Sequence, residues 1–397
     1  MASTDAGTAE AAAPRILLPV LACGNFVAVA SAWLIVGLLP LVRTDLGLDD
    51  VGAASLVSVF TLTYALTSPF LGLLAVRLGY RLTLALAMSL VTLTAIATAL
   101  APGYGTLIGA RIFAALGSAA FTPVAAALAV ARSAPGRQGV ALAVIYIGIP
   151  MSQILGIPLG TTLGFAFGWH GAFYAVAALS LTQLALIFVT VPGTGRPPRP
   201  APGAMAEGLS RPGMLPTLAV AVLCSCTANI FYTFVADILV DRAALSGAGI
   251  SMGLTCLGLG TLFGTFLVGR LLDIVGPRRI LLASFAIGAL ALPFTTLTRY
   301  GMPLAYLWMI LLGATLFTHI PALQSRITTL APGLAGLLFG LISSMVYVGA
   351  SLGSFTGGLV AKHLGLIWLG PASTTVAVVL LAVILGDRRW SPANRAS

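Results

Sequence analysis

The chain has 397 residues, of which 59% are hydrophobic and only 8% charged, where a soluble domain carries about 25% charged residues. That composition excludes a water-soluble globular fold and leaves an integral membrane protein with many spans. The net charge of +10 does not indicate a nucleic-acid partner, because the basic residues stand singly or in pairs between apolar runs, with no basic domain.

Residues 1–15 are small and polar and are expected to be a disordered N-terminal segment. They do not form a signal peptide, since the apolar stretch that follows is long enough to span and has no small-residue cleavage site behind it. Apolar segments of spanning length then follow at 16–42, 52–76, 82–101, 104–131, 138–167 and 171–192, and again at 214–240, 247–272, 279–299, 302–330, 334–362 and 366–386. Their long unbroken runs predict helices rather than barrel strands, which would alternate. The expected fold is therefore an all-α membrane protein of twelve transmembrane helices. The stretch 193–213, rich in Pro, Gly and Arg, predicts a linker outside the membrane. It separates a first half, 16–192, from a second, 214–390, and 391–397 form a short tail. Cys23, Cys224, Cys226 and Cys256 all lie in apolar runs and are read as packing residues, with no disulfide framework and no metal site.

The two halves repeat. A shift of 197 residues carries Gly52 onto Gly249, Gly72 onto Gly269, Gly79 onto Gly276 and Arg81 onto Arg278. The same shift carries Gly156 and Gly160 onto Gly353 and Gly357, and Ala134-Pro135-Gly136 onto Ala331-Pro332-Gly333. One ungapped offset indicates a six-plus-six duplication, an architecture that transporters use with the substrate site between the halves near mid-membrane.

Basic residues orient the chain. With both termini in the cytoplasm, Arg43, Arg242, Arg299 and Lys362 fall outside, Arg111 lies within a span, and every other basic residue is inside. The positive-inside rule then predicts cytoplasmic termini and a cytoplasmic linker.

In the fifth span Gly156, Gly160, Gly164 and Gly168 recur at intervals of four, which places them on one helical stripe bare of side chains. Pro150 and Pro158 in the same segment remove backbone donors and should bend it. Small-residue packing against a partner helix is the plain reading. A bent helix that rocks on that partner is the functional one.

Several motifs resemble those of the major facilitator superfamily, closest in its drug and sugar efflux branch, the arabinose-efflux-like permeases and drug:proton antiporters. After span two, Gly72 through Val76, Arg77, Gly79, Tyr80 and Arg81 resembles that family's GxxxDRxGRR loop, with Val76 in place of the acid. The second-half copy, Gly269, Asp273, Gly276, Arg278 and Arg279, keeps the acid. Its glycines permit close approach and a tight turn, and Asp273 is expected to act as an ionic latch or helix cap. Arg111 followed by Gly117 loosely resembles the branch's span-four arginine motif. Gly148, Gly156, Pro158 and Gly160 match its antiporter motif, which the resemblance associates with export. The major facilitator fold and alternating access are what this resemblance implies.

An arginine inside a span is costly and marks a pathway or an ion pair, with snorkelling as the alternative for Arg111. Asn229, Tyr232, Thr233 and Asp237 are spaced to share one helix face, turned to a cavity or to a neighbouring helix. His319 lies deep in span ten, either titrating near neutrality or bonded to a carbonyl. Asn25 and Trp33 are the polar and amphipathic choices in span one, which holds no acid in its membrane portion. The candidate pathway is thus Asn25, Arg111, Asn229, Tyr232, Asp237 and His319, with His319 ranked just ahead of Asp237 as proton carrier.

No nucleotide-binding loop and no catalytic grouping is recognisable, so neither an ATP-driven pump nor an enzyme is expected. No cofactor is expected beyond a proton gradient. The expected function is export of a small, largely apolar, neutral or weakly cationic compound by alternating access, as a monomer in a bacterial inner membrane, in contact with lipid and without nucleic acid. Uptake or facilitated diffusion of a metabolite is the second reading, and a transport-dead receptor the reading from another class.

Overall fold

A computed structural model of the chain describes residues 16–134, 137–197, 203–331 and 334–387, apart from the side chains of residues 139, 204 and 335–337. The N-terminal segment 1–15, the tail 391–397 and the repeated Pro-Gly pairs at 135–136 and 332–333 lie outside the described residues.

The first half comprises α1 (Leu17–Leu46), α2 (Asp50–Leu71), α3 (Leu74–Leu78), α4 (Tyr80–Ala99), α5 (Tyr104–Ala131), α6 (Gln138–Tyr146), α7 (Gly148–Met151) and α8 (Ile157–Thr190). A short α9 (Ala204–Ser210) lies in the linker. The second half comprises α10 (Met214–Tyr232), α11 (Val235–Ala243), α12 (Gly247–Val275), α13 (Pro277–Leu297), α14 (Met302–Leu316), α15 (His319–Leu330), α16 (Ala335–Leu364) and α17 (Leu369–Gly386). Among the described residues, 11 helices are long and apolar enough to cross a membrane, one of them running over Val140–Thr190. That one turns back at Gly168, whose φ of 81° breaks it into two passes. The fold is therefore the expected twelve-helix bundle.

The linker defines one face of the bundle: the Tyr80 amide donates to the Gly195 carbonyl at 3.3 Å, and Arg132 donates to the Thr194 carbonyl at 3.3 Å. The opposite, distal face carries the α1–α2 corner, Gly168, and the α11–α12 and α16–α17 connections.

Positive φ falls where the repeat places it. Gly79 and Gly276, 197 residues apart, have φ of 83° and 80°, and Gly168 and Gly365, with the same separation, have 81° and 92°. A side chain is disfavoured in that region, so these four turns demand glycine. Gly168 is accordingly a turn residue and not the end of the fifth-span stripe. The stripe is Gly148, Gly156, Gly160 and Gly164, and it runs along α1. A Cβ on Gly148 would meet the Ala22 carbonyl and, at 2.9 Å, the Phe26 nitrogen, and one on Gly156 would meet Phe26 at 3.0 Å. Gly160 faces Leu34 and Gly164 faces Leu38. Gly353 and Gly357 repeat this against the backbone of α10 at Cys226 and Ile230.

Between Pro150 and Pro158 the bend takes the form of a π turn, Ser152–Gly156. Its Gln153 carbonyl would lie 3.0 Å from a Cβ on Gly258 of α12, so the widened turn sits where the two halves touch.

The halves differ in one respect that bears on function. Spans one and four are continuous in α1 and α5. Their repeat mates are broken, between Tyr232 and Val235 and between Leu316 and His319. A break at mid-depth frees backbone carbonyls, and these are tolerated only where protein or a cavity satisfies them.

Candidate functional site

At mid-depth five aromatic side chains form a continuous ladder across the interface between the halves. Tyr64 of α2 stacks on Tyr347 of α16 with ring centroids 3.8 Å apart. Tyr347 lies 6.2 Å from Trp33 of α1, and Trp33 lies 5.7 Å from Tyr232 at the end of α10. Tyr232 meets Phe317 edge-on at 5.2 Å. Tyr232 and Phe317 are the residues at the two helix breaks, so the irregular backbone presents rings to the interface. Each such pair contributes about 0.5–1.5 kcal/mol beyond area burial, and flat apolar groups can replace either ring in the contact.

On the distal side of the ladder the halves are joined by polar contacts. Ser351 Oγ donates to the Ser58 carbonyl at 2.9 Å. Arg43, near the end of α1, bonds Asp50 at the start of α2 and reaches Asp237 Oδ1 of α11 at 3.1 Å. Lys362 of α16 donates to Asp49 Oδ2 at 2.8 Å. Each half thus offers a cation to an acid of the other. The two bridges differ in weight: the Asp237 side chain is 3% exposed, whereas Lys362 and Asp49 are about half exposed at 47% and 54%. Exposed pairs contribute little, and removing one partner of a buried pair is costly.

The residues expected from sequence separate into different jobs. Asn25 is fully buried within the first half, where its Oδ1 accepts from Thr122 Oγ1 at 2.7 Å and its Nδ2 donates to the Ile145 carbonyl at 3.2 Å. Arg111 is 1% exposed and has no carboxylate partner among the described residues. Its guanidinium donates to the carbonyls of Leu56 at 3.0 Å, Ser31 at 3.1 Å and Ala32 at 2.6 Å, and lies 4.4 Å over the Phe60 ring. It clamps α1 and α2 to α5 and does not snorkel.

Asn229, Tyr232, Thr233 and Asp237 do not share a face, because the helix breaks after Tyr232. Asn229 donates back to the Ser225 carbonyl at 2.9 Å beside Gly353. Tyr232 joins the ladder, Thr233 donates to Ser354 Oγ at 2.8 Å, and Asp237 belongs to the distal ion cluster. His319 follows the second break. Its Nδ1 lies 3.0 Å from the Leu316 carbonyl, so it donates there and satisfies the broken end of α14. Its Nε2 is buried without a hydrogen-bond partner among the described residues.

In the conformational motifs Gly79 and Gly276 make the expected turns. Gly72 and Gly269 make no close approach: a Cβ on Gly72 would come no nearer than 3.9 Å to Pro123, and Gly269 has nothing within 4 Å. Asp273 is exposed and takes part in no ion pair among the described residues, so the expected latch is not engaged here. Arg81 and Arg278 each bond a helix-end carbonyl, and Pro158 is buried at the end of the π turn.

Sequence reasoning missed Tyr64, Tyr347 and Phe317 in the ladder and the pairing roles of Arg43, Asp50, Asp49 and Lys362. Tyr64 and Tyr347 are lone tyrosines near the middle of spans two and eleven, a signal that was legible.

The profile of the Major Facilitator Superfamily matches residues 21–243 and 217–396. A chloramphenicol resistance protein of Streptomyces lividans is 29% identical over 93% of this chain and 94% of its own length. The "Probable sugar efflux transporter" of Pasteurella multocida (strain Pm70) is 25% identical over 83% of this chain and 81% of its own. Among solved structures, a bacterial homolog of the human lysosomal transporter Spinster, crystallised in an inward-facing and occupied conformation, superposes with a TM-score of 0.80 at 19% identity, covering 96% of this chain and 98% of that one. With a repeat of 197 residues, a twelve-pass bundle and a profile match over nearly its whole length, the chain belongs to the Major Facilitator Superfamily of membrane transporters.

Proposed function

We propose that the chain exports a small, largely apolar, neutral or weakly cationic compound by alternating access, in exchange for protons, across a bacterial plasma membrane. The aromatic ladder carries this reading. Tyr64, Trp33, Tyr232, Phe317 and Tyr347 come from both halves and meet at mid-depth, where a substrate must be passed from one access state to the other. Ring faces bind flat apolar groups and attract a cation, while the absence of a basic side chain in the ladder gives a strongly anionic substrate no partner. The similarity to a drug-resistance protein and to a sugar efflux transporter supports export. The arginine distribution supports termini and linker in the cytoplasm, with the distal face outside.

Purified protein in liposomes with an imposed pH gradient, offered a panel of aromatic compounds that includes chloramphenicol, tests the reading. At least one compound should move against its gradient, and Trp33→Ala or Tyr347→Ala should raise its half-saturating concentration. Downhill movement indifferent to the pH gradient would establish facilitated diffusion instead.

A further inference from the structure

The distal ion cluster contains a carboxylate with unused capacity. Asp237 Oδ1 is bridged to Arg43, while Oδ2 is buried with no hydrogen-bond partner among the described residues. Arg43 is also bonded to Asp50, which belongs to its own half and stands seven residues away. The cluster is therefore asymmetric. When the halves separate on the distal side, Arg43 keeps an anion and Asp237 loses its cation.

The other charged groups near Asp237 do not fill that gap. On its own helix, Asp241 and Arg242 pair with each other. On the elements packed against α11, α12 and α13 carry Arg270, Asp273, Arg278 and Arg279 only at the linker end, and α14 carries no charged residue. Tyr300 donates its hydroxyl to the Thr295 carbonyl, and its amide donates to the Arg242 carbonyl. Tyr306 and Cys256 neighbour each other.

We propose that Asp237 is a proton-binding site of the distal gate, at which the bridge to Arg43 and a bound proton exclude one another. Opening the distal face breaks the bridge, and one proton passes from that aqueous phase to the Asp237 carboxylate, while Asp50 keeps Arg43 neutralised. When the distal face closes and the linker side opens, the bridge re-forms and the proton leaves the Asp237 carboxylate for water on the linker side. The geometry of the gate stands by itself, and use of this proton to drive export rests on the function proposed above. Of the two carriers expected from sequence, this places Asp237 ahead of His319, whose ring faces no cation.

Linkage fixes the size of the effect. If opening takes up one proton, its equilibrium constant rises about tenfold for each unit of acidification across the working window. The test uses full-length protein with its four cysteines replaced by serine and spin labels on Thr106→Cys and Thr298→Cys, exposed sites at the distal ends of the two halves. The inter-label distance distribution is read against pH. Acidification should populate the wider distance. Asp237→Asn, which mimics the protonated acid, should be open throughout and insensitive to pH. Asp50→Asn, which leaves Arg43 only Asp237, should move the transition to lower pH, and this outcome does not depend on the Asp237 variant folding. A wild-type pH response in either variant overturns the proposal. The transport assay separates the two readings: absent pH-driven transport with an intact label response defeats the export reading, while intact transport with an unchanged label response in Asp237→Asn defeats the gate.

Discussion

Arg81 and Arg278 make the same contact in the two halves. Arg81 donates to the Phe188 carbonyl at 2.6 Å and Arg278 to the Leu385 carbonyl at 3.1 Å, and donors and acceptors alike are 197 residues apart. Each ties the start of the third span of its half to the end of the sixth, where a cation meets the negative end of a helix. The duplication visible as spaced glycines is thus also a duplication of hydrogen bonds.

Glycine substitutions should fall into two classes, decided by what the new Cβ meets. At Gly148 and Gly353 it would strike backbone, the carbonyls of Ala22 and Cys226. Backbone in a packed helix pair cannot yield, so Gly148→Ala and Gly353→Ala should each cost about 1–3 kcal/mol as overpacking. At Gly160 the obstacle is the Leu34 side chain, which can shift, and at Gly269 there is none within 4 Å. Gly160→Ala should be mild and Gly269→Ala neutral. Thermal unfolding of the detergent-solubilised proteins checks the order, and equal losses at Gly148 and Gly269 would contradict it.

Arg111 should behave as a structural clamp. Lysine cannot supply donors to Leu56, Ser31 and Ala32 in three directions at once, nor stack its charge on Phe60 in the same way. The three carbonyls keep their intrahelical donors, so the loss is that of the charge-assisted hydrogen bonds themselves, about 1.5–3 kcal/mol each. Arg111→Lys should therefore lower expression and the unfolding midpoint together. A variant of unchanged stability with a selective loss of proton coupling would return Arg111 to the transport pathway.

Much of the fold was legible because it follows from chemistry that a linear sequence displays. Twelve apolar runs, a 197-residue offset and glycines where φ must be positive are all written in residue order. The helix break at Thr233 was not, since no proline or glycine stands there, whereas the break at Phe317 had a signal in Pro321, which removes the amide that would bond the Phe317 carbonyl. Because the first break went unseen, Asn229, Tyr232 and Asp237 were placed on one continuous face that the structure divides among three environments. The interface residues were hidden for another reason. Arg43 and Lys362 read as topology signals, and only the packing of α1 on α11 and of α2 on α16 turns them into bridges between halves.

The Lys362–Asp49 bridge should be indifferent to pH in the physiological range. The Lys362 ammonium, followed by the Gly52 amide, holds the Asp49 carboxyl below its ordinary 3.8. A lowered value means that the contact is complete at neutrality and is lost only as pH falls through that lowered value. Any opening of the distal face between pH 5 and 8 must then arise elsewhere. Lys362→Gln should leave the pH response of the distal labels in place and barely move the unfolding midpoint, because both partners are solvated. Loss of the pH response in Lys362→Gln would shift the gate from Asp237 to this exposed pair.

His319 should prove to be a helix-end cap. The break after Leu316 leaves a carbonyl without its usual amide donor, and the His319 Nδ1–H supplies one at 3.0 Å. The ring is buried, packs 6.2 Å from Phe285 and, among the described residues, pairs with no acid that would stabilise an imidazolium. A glutamine retains an N–H donor of similar reach, so His319→Gln should keep both the unfolding midpoint and pH-driven transport. His319→Leu removes the donor and leaves the Leu316 carbonyl buried and unpaired, at a cost of about 1–3 kcal/mol. Its midpoint should fall, while the transport that remains keeps its pH dependence. A His319→Gln protein of parental stability that no longer couples transport to the pH gradient would make the histidine the proton carrier, and the capping role would then be secondary.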